Sequence, residues 1–231
     1  MPTGDDERRG WSIDPPIPES ARTVLVYGGA FDPPHTGHIE PALAARDAVG
    51  ADWALFIPAA SAPLRDAGPT ASGADRLEML RRALAGRRRT SVSDVELARG
   101  GTSYTIDTLR ALRDRLPETT RMRLLIGADQ AAQFHRWREP GAVMTLAEPI
   151  VVLRGAGDSA EALLDRLART WPADEVERWR ARLAPAPIID ASSTVVRAAL
   201  ARGDSAAAAR LVDPAVLDFI RARNLYREGG R

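Results

Sequence analysis

Residues 23–38 read TVLVYGGAFDPPHTGH, and this stretch decides how the rest of the chain is interpreted. The apolar, β-rich run at 23–27 predicts a buried strand that ends at the glycine pair Gly28-Gly29. Apolar residues then recur at helical spacing, which predicts a helix over residues 39–49. A strand that leads through a glycine-rich turn into a helix is the repeating unit of parallel α/β sheets.

The remainder of the chain continues this alternation. Further strands are predicted at residues 53–58, 91–97, 123–127, 149–153 and 187–190. Further helices are predicted at residues 75–84, 105–116, 130–137, 193–202, 206–212 and 216–223, with one or two more within 160–183. The predicted fold class is therefore α/β, with a doubly wound, mostly parallel sheet and a C-terminal helical portion. Residues 1–22 are polar and proline-rich and predict a flexible extension, followed by a single domain over 23–231.

The composition excludes several classes of protein. The chain has 231 residues, 45% of them hydrophobic, which is ordinary for a globular protein. Its 32 basic and 31 acidic residues nearly cancel, so no electrostatic footprint for nucleic acid is present. Every basic residue is arginine, and the absence of cysteine excludes disulfides and thiolate metal sites. Neither a membrane-length apolar run nor a signal-peptide pattern is found, so we predict a cytoplasmic location and no membrane partner.

Two of the three histidines, His35 and His38, lie three residues apart at the predicted start of a helix. A helix N-terminus offers free N–H groups and partial positive charge, both of which favour phosphate. Paired imidazoles add donors there, and Gly37 between them leaves room for a ligand. Ordinary capping or packing is the alternative. A zinc site is disfavoured because His135 is the only other histidine, and we predict no direct metal ligand.

A second helix start carries hydroxyls and a guanidinium. Ser192, Ser193 and Thr194 precede an apolar helical run, and Arg197 lies one turn further along. Simple helix capping with a surface arginine is one interpretation of this pattern. The other is a second phosphate-binding helix N-terminus, which the presence of the imidazole pair elsewhere in the sequence favours.

Residues 28–38 (GGAFDPPHTGH) resemble the signature of the HxGH nucleotidyltransferase superfamily. Three further stretches resemble bacterial nicotinate-nucleotide adenylyltransferases: 103–109 (SYTIDTL), 127–129 (GAD) followed by Phe134 and Trp137, and 192–197 (SSTVVR). Residues 211–214 (LVDP) and 225–226 (LY) resemble the family's ending, so the likeness covers about residues 24–226.

The resemblance implies a Rossmann-like nucleotidyltransferase fold and adenylyl transfer from ATP to nicotinate mononucleotide, with Mg²⁺ bridging the ATP phosphates. His38 and His35 are the implied catalytic residues. The implied ATP-binding residues are Gly28, Gly29, Ala30, Phe31, His35, Gly37, His38, Gly127, Asp129, Ser192, Ser193, Thr194 and Arg197. The implied nicotinate mononucleotide-binding residues are Arg65, Tyr104, Thr105, Trp137 and Arg138.

Three positions depart from the family's usual pattern. Ala30 stands where a hydroxyl residue is usual, Leu64 where histidine is common, and Arg138 where an aromatic residue is frequent. The last two bear on acceptor affinity. The sequence leaves open a nicotinamide mononucleotide or phosphopantetheine acceptor, a cytidylyltransferase, and a nucleotide-binding regulatory module without turnover. It also leaves the oligomeric state open, a homo-oligomer included.

Overall fold

A computed structural model describes residues 10–61, 63, 68–153 and 159–227 of the chain. The strands are β1 (Ile13–Asp14), β2 (Thr23–Gly29), β3 (Trp53–Pro58), β4 (Thr90–Ser93), β5 (Arg121–Gly127) and β6 (Ala147–Val152). The first helices are α1 (Thr36–Ala48), α2 (Gly73–Leu84), α3 (Val95–Arg99), α4 (Thr105–Arg113), α5 (Ala128–Ala132) and α6 (Pro140–Leu146), with a 3₁₀ turn at Phe134–Arg136. The later helices are α7 (Ala160–Leu167), α8 (Ala173–Ala181), α9 (Ser193–Ala201), α10 (Ser205–Ala209) and α11 (Pro214–Ala222).

The six strands form one sheet in the order β1-β4-β3-β2-β5-β6. β2 through β6 pair in parallel, and only the short β1 runs antiparallel, against β4. β2 lies centrally, with β3 on one side and β5 on the other, so the strand order reverses at this point. Open α/β sheets bind ligands in the crevice beyond the carboxyl ends of the strands at such a point. The predicted α/β class with a mostly parallel sheet is confirmed.

Helices cover both faces of the sheet, as buried parallel strands require. Leu25 and Tyr27 of β2 face one apolar core, which includes residues of α1, α2 and the C-terminal helices. Val24 and Val26 face the other, which includes residues of α4, α7 and α8. This alternation fixes the register of the central strand, and it places the loop after β2 at the carboxyl edge of the sheet.

Several predicted elements differ from those observed. The strand predicted over 91–97 ends at Ser93, and the following residues form α3 instead. The strand predicted over 187–190 is not formed, and the chain meets β6 earlier, through an isolated bridge between Leu183 and Val151. The helix predicted over 130–137 is divided into α5 and the 3₁₀ turn, and α6 was not predicted.

Residues 10–22, predicted to belong to a flexible extension, are packed against the sheet. Ile13 pairs with Ser93, and the Ser12 amide donates to Asp94 Oδ1 at 2.6 Å. Residues 1–9 lie outside the described residues, and the division of the chain into an extension and one domain stays a prediction. Within the described ranges, no helix combines the length and apolar character needed to cross a bilayer.

Candidate active site

The paired histidines lie at the start of α1, directly beyond the carboxyl end of β2. His35 is the N-cap residue with extended backbone, and its carbonyl accepts from the His38 amide at 2.8 Å. The two ring centroids are 3.8 Å apart, with an angle of 34° between the planes. His35 is almost fully buried and His38 is half-buried. Both imidazoles thus lie side by side at a helix N-terminus, an arrangement suited to phosphate.

Phe31, rather than the glycine pair, provides the unusual backbone of the loop. Its φ of 49° lies in the left-handed region, and its ring is fully buried. The ring lies beneath Gly29, where an added Cβ would be 3.0 Å from Phe31 Cζ, whereas Gly28 has open space around it. The Phe31 and His38 ring centroids are 5.2 Å apart, nearly edge to face. Phe31 therefore supports the His38 imidazole from within the core.

Gly37 lies where the two candidate phosphate-binding helix starts meet. A Cβ added there would be 3.1 Å from the His35 ring and 3.2 Å from the Ala191 Cβ. A side chain at this position would require the His35 ring or the segment that leads into α9 to shift by a few tenths of an ångström. Glycine is needed here for close approach, in addition to the access for a ligand that the sequence suggests.

Two hydrogen bonds join α9 to the loop before α1. Ser193 Oγ donates to the Pro33 carbonyl at 3.1 Å, and Arg197 Nη1 donates to the Asp32 carbonyl at 2.7 Å. These two helix starts are far apart in the sequence, since Pro33 and Ser193 are separated by 160 positions. Their convergence puts the imidazoles, hydroxyls and guanidinium in one region at the carboxyl edge of the sheet.

The hydroxyls of α9 also serve as local structure. Ser192 Oγ accepts from the Val195 amide at 3.2 Å, which is an ordinary N-cap. Arg197 Nη2 lies 3.4 Å from Thr194 Oγ1, and the Thr194 side chain is exposed. The capping interpretation is therefore correct for Ser192 and is compatible with phosphate binding by the rest of the turn.

The end of β5 lies beside the end of β2, since these strands are parallel neighbours. Gly127 is the N-cap of α5, and Asp129 follows within its first turn. The Asp129 side chain is 78% exposed and its Oδ1 accepts from Arg166 Nη1 at 3.0 Å. The carboxylate thus stands at the predicted edge of the sheet, held by one surface ion pair.

The segment before α4 is tied to the end of β3. Ser103 Oγ accepts from the Ala60 amide at 2.9 Å, and the Ser103 amide donates to the Ser61 carbonyl at 2.8 Å. Tyr104 and Thr105 follow directly, at the N-cap and first position of α4. The SYT sequence therefore lies at the same edge of the sheet as the histidine pair.

Two further residues predicted to bind the acceptor follow the 3₁₀ turn. Half-buried Trp137 packs on Phe134, with ring centroids 4.9 Å apart. The Arg138 guanidinium lies 4.9 Å from the Tyr104 ring centroid and 3.6 Å from Asp107. Arg138 therefore packs on an aromatic ring, at a position where the family often has an aromatic residue.

Other predicted residues fall elsewhere. Arg65 and the departing position Leu64 lie outside the described residues. Ala30 is half-buried, and its carbonyl accepts from Arg76 Nη1 at 2.8 Å. His135 is exposed, as a surface histidine would be. In the ranges that the structure describes, no group of three or more His, Asp or Glu side chains is placed to hold a metal ion.

Glu96 is a buried carboxyl group behind the acceptor segment. It accepts from Thr108 Oγ1 at 2.7 Å, and Arg99 Nη2 donates to the same hydroxyl at 3.1 Å. Burial raises the pKa of Glu96, while hydrogen bonds from Ser103 and Thr108 oppose that rise. The group therefore connects α3 to the SYTIDTL helix from inside the protein.

Sequence reasoning missed the network around Asp32. Its buried carboxylate accepts from the Thr70 amide at 2.6 Å, the Ala71 amide at 3.0 Å and the Tyr226 hydroxyl at 2.7 Å. Asp32 and Tyr226 both lie in segments that resemble the family, but no local sequence pattern predicts a hydrogen bond between them. The carboxylate gathers the histidine loop, the loop before α2 and the C-terminus at one point.

Arg76 was also missed. It is buried in α2, and its side chain donates to the carbonyls of Ala30 and Ala71. Burial lowers the pKa of Arg76, and the negative charge of Asp32 opposes this. Arg76 lies four and eight positions before Leu80 and Leu84, on the apolar face of the helix, and this spacing could have predicted that its side chain is buried.

Comparison with known proteins places these features in context. The cytidylyltransferase-like family model matches residues 26–199. A Chromobacterium violaceum protein named "Probable nicotinate-nucleotide adenylyltransferase" is 37% identical over 211 residues, covering 88% of this chain and 98% of its own. A Rhodopirellula baltica protein of the same name is 35% identical over 189 residues, covering 81% of this chain and 86% of its own.

A solved structure shares the fold. Plasmodium falciparum nicotinic acid mononucleotide adenylyltransferase, complexed with NaAD, superposes with a TM-score of 0.66 over 89% of this chain and 97% of its own. The two sequences are 17% identical, so this likeness concerns the fold alone.

Proposed function

The chain belongs to the cytidylyltransferase-like family and, within it, to the nicotinate-nucleotide adenylyltransferases; from this premise we propose that it transfers the adenylyl group of ATP to nicotinate mononucleotide. The products are nicotinate adenine dinucleotide, the deamido precursor of NAD, and pyrophosphate. The contact between the two helix starts, through Ser193 and Arg197, is the single observation that carries the proposal. It supports one binding region for a triphosphate rather than two separate capping motifs.

The reaction is an in-line displacement at the α-phosphorus of ATP. An oxygen of the acceptor's 5′-phosphate forms the new bond to the α-phosphorus. The bond from the α-phosphorus to the oxygen that bridges the α- and β-phosphates breaks, and that oxygen leaves with pyrophosphate. The acceptor phosphate is already anionic, so no covalent enzyme intermediate is needed. Catalysis then consists mainly of positioning and of stabilising charge, which is the usual demand of phosphoryl transfer.

The histidine pair stabilises the charge that develops at the α-phosphate. His38 is half-buried and donates to an α-phosphate oxygen, while buried His35 helps hold the triphosphate. Phe31 packs edge-on against the His38 ring and limits its movement. Donors that are already in position cost no reorganisation when charge builds up, which is why they accelerate such reactions.

Arg197 and the α9 hydroxyls bind the β- and γ-phosphates. Arg197 uses one nitrogen for the Asp32 carbonyl, and its side chain remains 32% exposed. A guanidinium has five N–H donors, so donors remain for phosphate oxygens. Asp129, at the neighbouring strand end, accepts from ribose hydroxyls in this scheme, and Gly28, Gly29 and Gly127 let the nucleotide approach bare backbone.

The acceptor binds on the side of α4 and the 3₁₀ turn. The exposed face of Trp137 stacks on the pyridine ring, while Thr105 and backbone N–H groups hold the nicotinate carboxylate. Tyr104 and Arg138 complete this side among the described residues, and the family resemblance assigns Arg65 to acceptor binding as well. Arg138 already packs on Tyr104, which supports a joint role for the two side chains.

Magnesium enters with ATP as part of the substrate. Mg²⁺ keeps several of its waters and is usually bound through substrate phosphates, so the scheme needs no resident metal site on the protein. ATP and pyridine mononucleotides are metabolites of the cell interior, and this supports a cytoplasmic location.

The test is pyrophosphate release by the purified protein with ATP and Mg²⁺. Nicotinate mononucleotide, nicotinamide mononucleotide and phosphopantetheine are supplied in separate assays, with CTP replacing ATP in a further set. We expect nicotinate mononucleotide with ATP to give the highest kcat/KM. Faster turnover with phosphopantetheine or with CTP would contradict the proposal. ATP binding without turnover on any acceptor would favour a regulatory module instead.

A further inference from the structure

The Asp32 carboxylate lies close to Arg197 without forming a short ion pair with it. Arg197 Nη1 is 3.8 Å from Asp32 Oδ2, whereas the same nitrogen donates to the Asp32 backbone carbonyl at 2.7 Å. Charged arginine–carboxylate pairs normally close to about 2.7–2.9 Å. Something in the structure therefore keeps these two groups apart.

Neutral donors occupy the carboxylate. The Thr70 amide donates to Oδ2 at 2.6 Å, and the Ala71 amide donates to Oδ1 at 3.0 Å. The Tyr226 hydroxyl donates to Oδ1 at 2.7 Å. Three donors satisfy most of the acceptor capacity of a carboxylate and reduce its attraction for a fourth.

Tyr226 differs from the other two donors because it is far from Asp32 in the sequence. It lies 194 positions from Asp32, beyond the last helix and outside the family match that ends at residue 199. Its ring is buried in the core on the α1 and α2 side of the sheet. Burial raises the pKa of Tyr226, so the phenol stays protonated and remains a donor throughout the physiological pH range.

We propose that the Tyr226 hydroxyl is a positioning group for ATP: its hydrogen bond to Asp32 Oδ1 holds the carboxylate in the orientation that leaves Oδ2 3.8 Å from Arg197, so that the guanidinium stays available to the triphosphate. This inference rests on the proposed function, in which Arg197 binds the β- and γ-phosphates. Tyr226 itself does not touch substrate. Its effect reaches ATP through Asp32 and Arg197, in that order.

The substitution Tyr226→Phe removes the hydroxyl and keeps the buried ring. We expect the KM for ATP to rise about five- to tenfold, which is the size of the net contribution of one typical hydrogen bond. The KM for nicotinate mononucleotide and kcat should stay within about twofold of the wild type, because the bond acts on phosphate binding alone. A uniform loosening of the fold would instead change both KM values together.

Leu225→Ala is the matched control. Leu225 is the neighbouring residue and packs against the same core without reaching Asp32. It should weaken the docking of the C-terminal segment and lower the melting temperature, while the ratio of the two KM values stays that of the wild type. A selective rise in the KM for ATP in Leu225→Ala would contradict the role of the hydroxyl.

A double-mutant cycle with Arg197→Ala identifies the path of the effect. If Tyr226 acts through Arg197, the double variant has the same KM for ATP as Arg197→Ala alone. Multiplicative effects would overturn the proposal. So would a Tyr226→Phe protein with wild-type KM values, or one that fails to fold, since the hydroxyl would then serve folding rather than ATP affinity.

Dissociation constants for ATP, measured by calorimetry on the wild type, the two single variants and the double variant of this cycle, separate this inference from the proposed function. A wild-type protein that releases no pyrophosphate with any acceptor would refute the proposed reaction. The affinities for ATP would still test Tyr226 in that case, with the same five- to tenfold weakening expected. An unchanged affinity for ATP in Tyr226→Phe would overturn the inference whatever the outcome of the turnover assay.

Discussion

The phosphate side and the acceptor side of the site are built differently. On the phosphate side, the Asp32 and His35 side chains are buried, and hydrogen bonds of 2.6–3.1 Å join segments that are far apart in sequence. On the acceptor side, Arg138 is 53% exposed and Asp107 is 32% exposed, and a surface ion pair at 3.6 Å joins them. The phosphate side is thus fixed by buried contacts, whereas the Arg138 end of the acceptor side is held by contacts at the surface.

This difference predicts how substitutions divide between kcat and KM. Exposed ion pairs contribute little to stability, so a ligand displaces them at small cost. Buried hydrogen-bonded groups are costly to disturb, so the phosphate side is already organised before ATP binds. We therefore expect the largest kinetic losses at the histidines and smaller, affinity-based losses on the acceptor side.

The largest expected effect is that of His38→Ala, which removes the donor to the α-phosphate. We expect kcat to fall about 10²–10³-fold, as for other preorganised donors, with little change in melting temperature because His38 is only half-buried. Pyrophosphate release measures the loss. His135→Ala, at the exposed histidine, is the matched control and should keep wild-type turnover. Near-normal kcat in His38→Ala would refute the assigned role.

Arg197→Ala should come next. Loss of charge-assisted hydrogen bonds to phosphate is expected to raise the KM for ATP about 10–100-fold. The KM for the acceptor should change much less, because Arg197 contacts the loop before α1 and not α4. Initial rates over a range of ATP concentrations check this. Arg202→Ala, an exposed arginine at the end of the same helix, should behave as wild type, and a similar rise there would indicate a general effect of charge.

Trp137→Ala tests the acceptor side of the comparison. Removing a stacking ring is expected to raise the KM for nicotinate mononucleotide about three- to tenfold while the KM for ATP stays unchanged. Trp137→Phe keeps an aromatic face and should recover most of the affinity. If both variants lower kcat as strongly as His38→Ala does, the proposed division between the two sides is wrong.

The smallest effect concerns Glu96 and pH. Burial raises its folded-state pKa above the ordinary value of 4.5, so the folded protein holds this proton more tightly than the unfolded chain. This stabilising contribution is complete below pH 4.5 and is lost as the pH rises through the folded-state pKa. Glu96→Gln lacks this loss, so the melting temperature of the wild type should fall relative to that of Glu96→Gln as the pH rises through that window.

Melting curves over a pH series measure the effect, and Glu118→Gln, at an exposed glutamate, is the control. A melting-temperature difference between wild type and Glu96→Gln that does not vary with pH would show that Glu96 has the same charge in both states of the protein.

Much of this architecture follows from local sequence. The strand at residues 53–58 has the predicted bounds, and the helix start at His35 was found from an i, i+3 pair behind two glycines. The failures occur where local preference is weak. The strand predicted over 91–97 ends at Ser93, where pairing with β1 stops one residue after pairing with β3, and the residues that follow form α3.

The sequence by itself determined the α/β class, the imidazole pair at a helix N-terminus and the hydroxyls of a second one, because each depends on residues within a few positions of one another. Only the tertiary structure decided that Arg197 meets the Asp32 carbonyl and that Tyr226 reaches the Asp32 carboxylate. Such contacts join residues that are 165 and 194 positions apart. They depend on how helices pack across a completed sheet, and this packing leaves no periodic pattern in the chain.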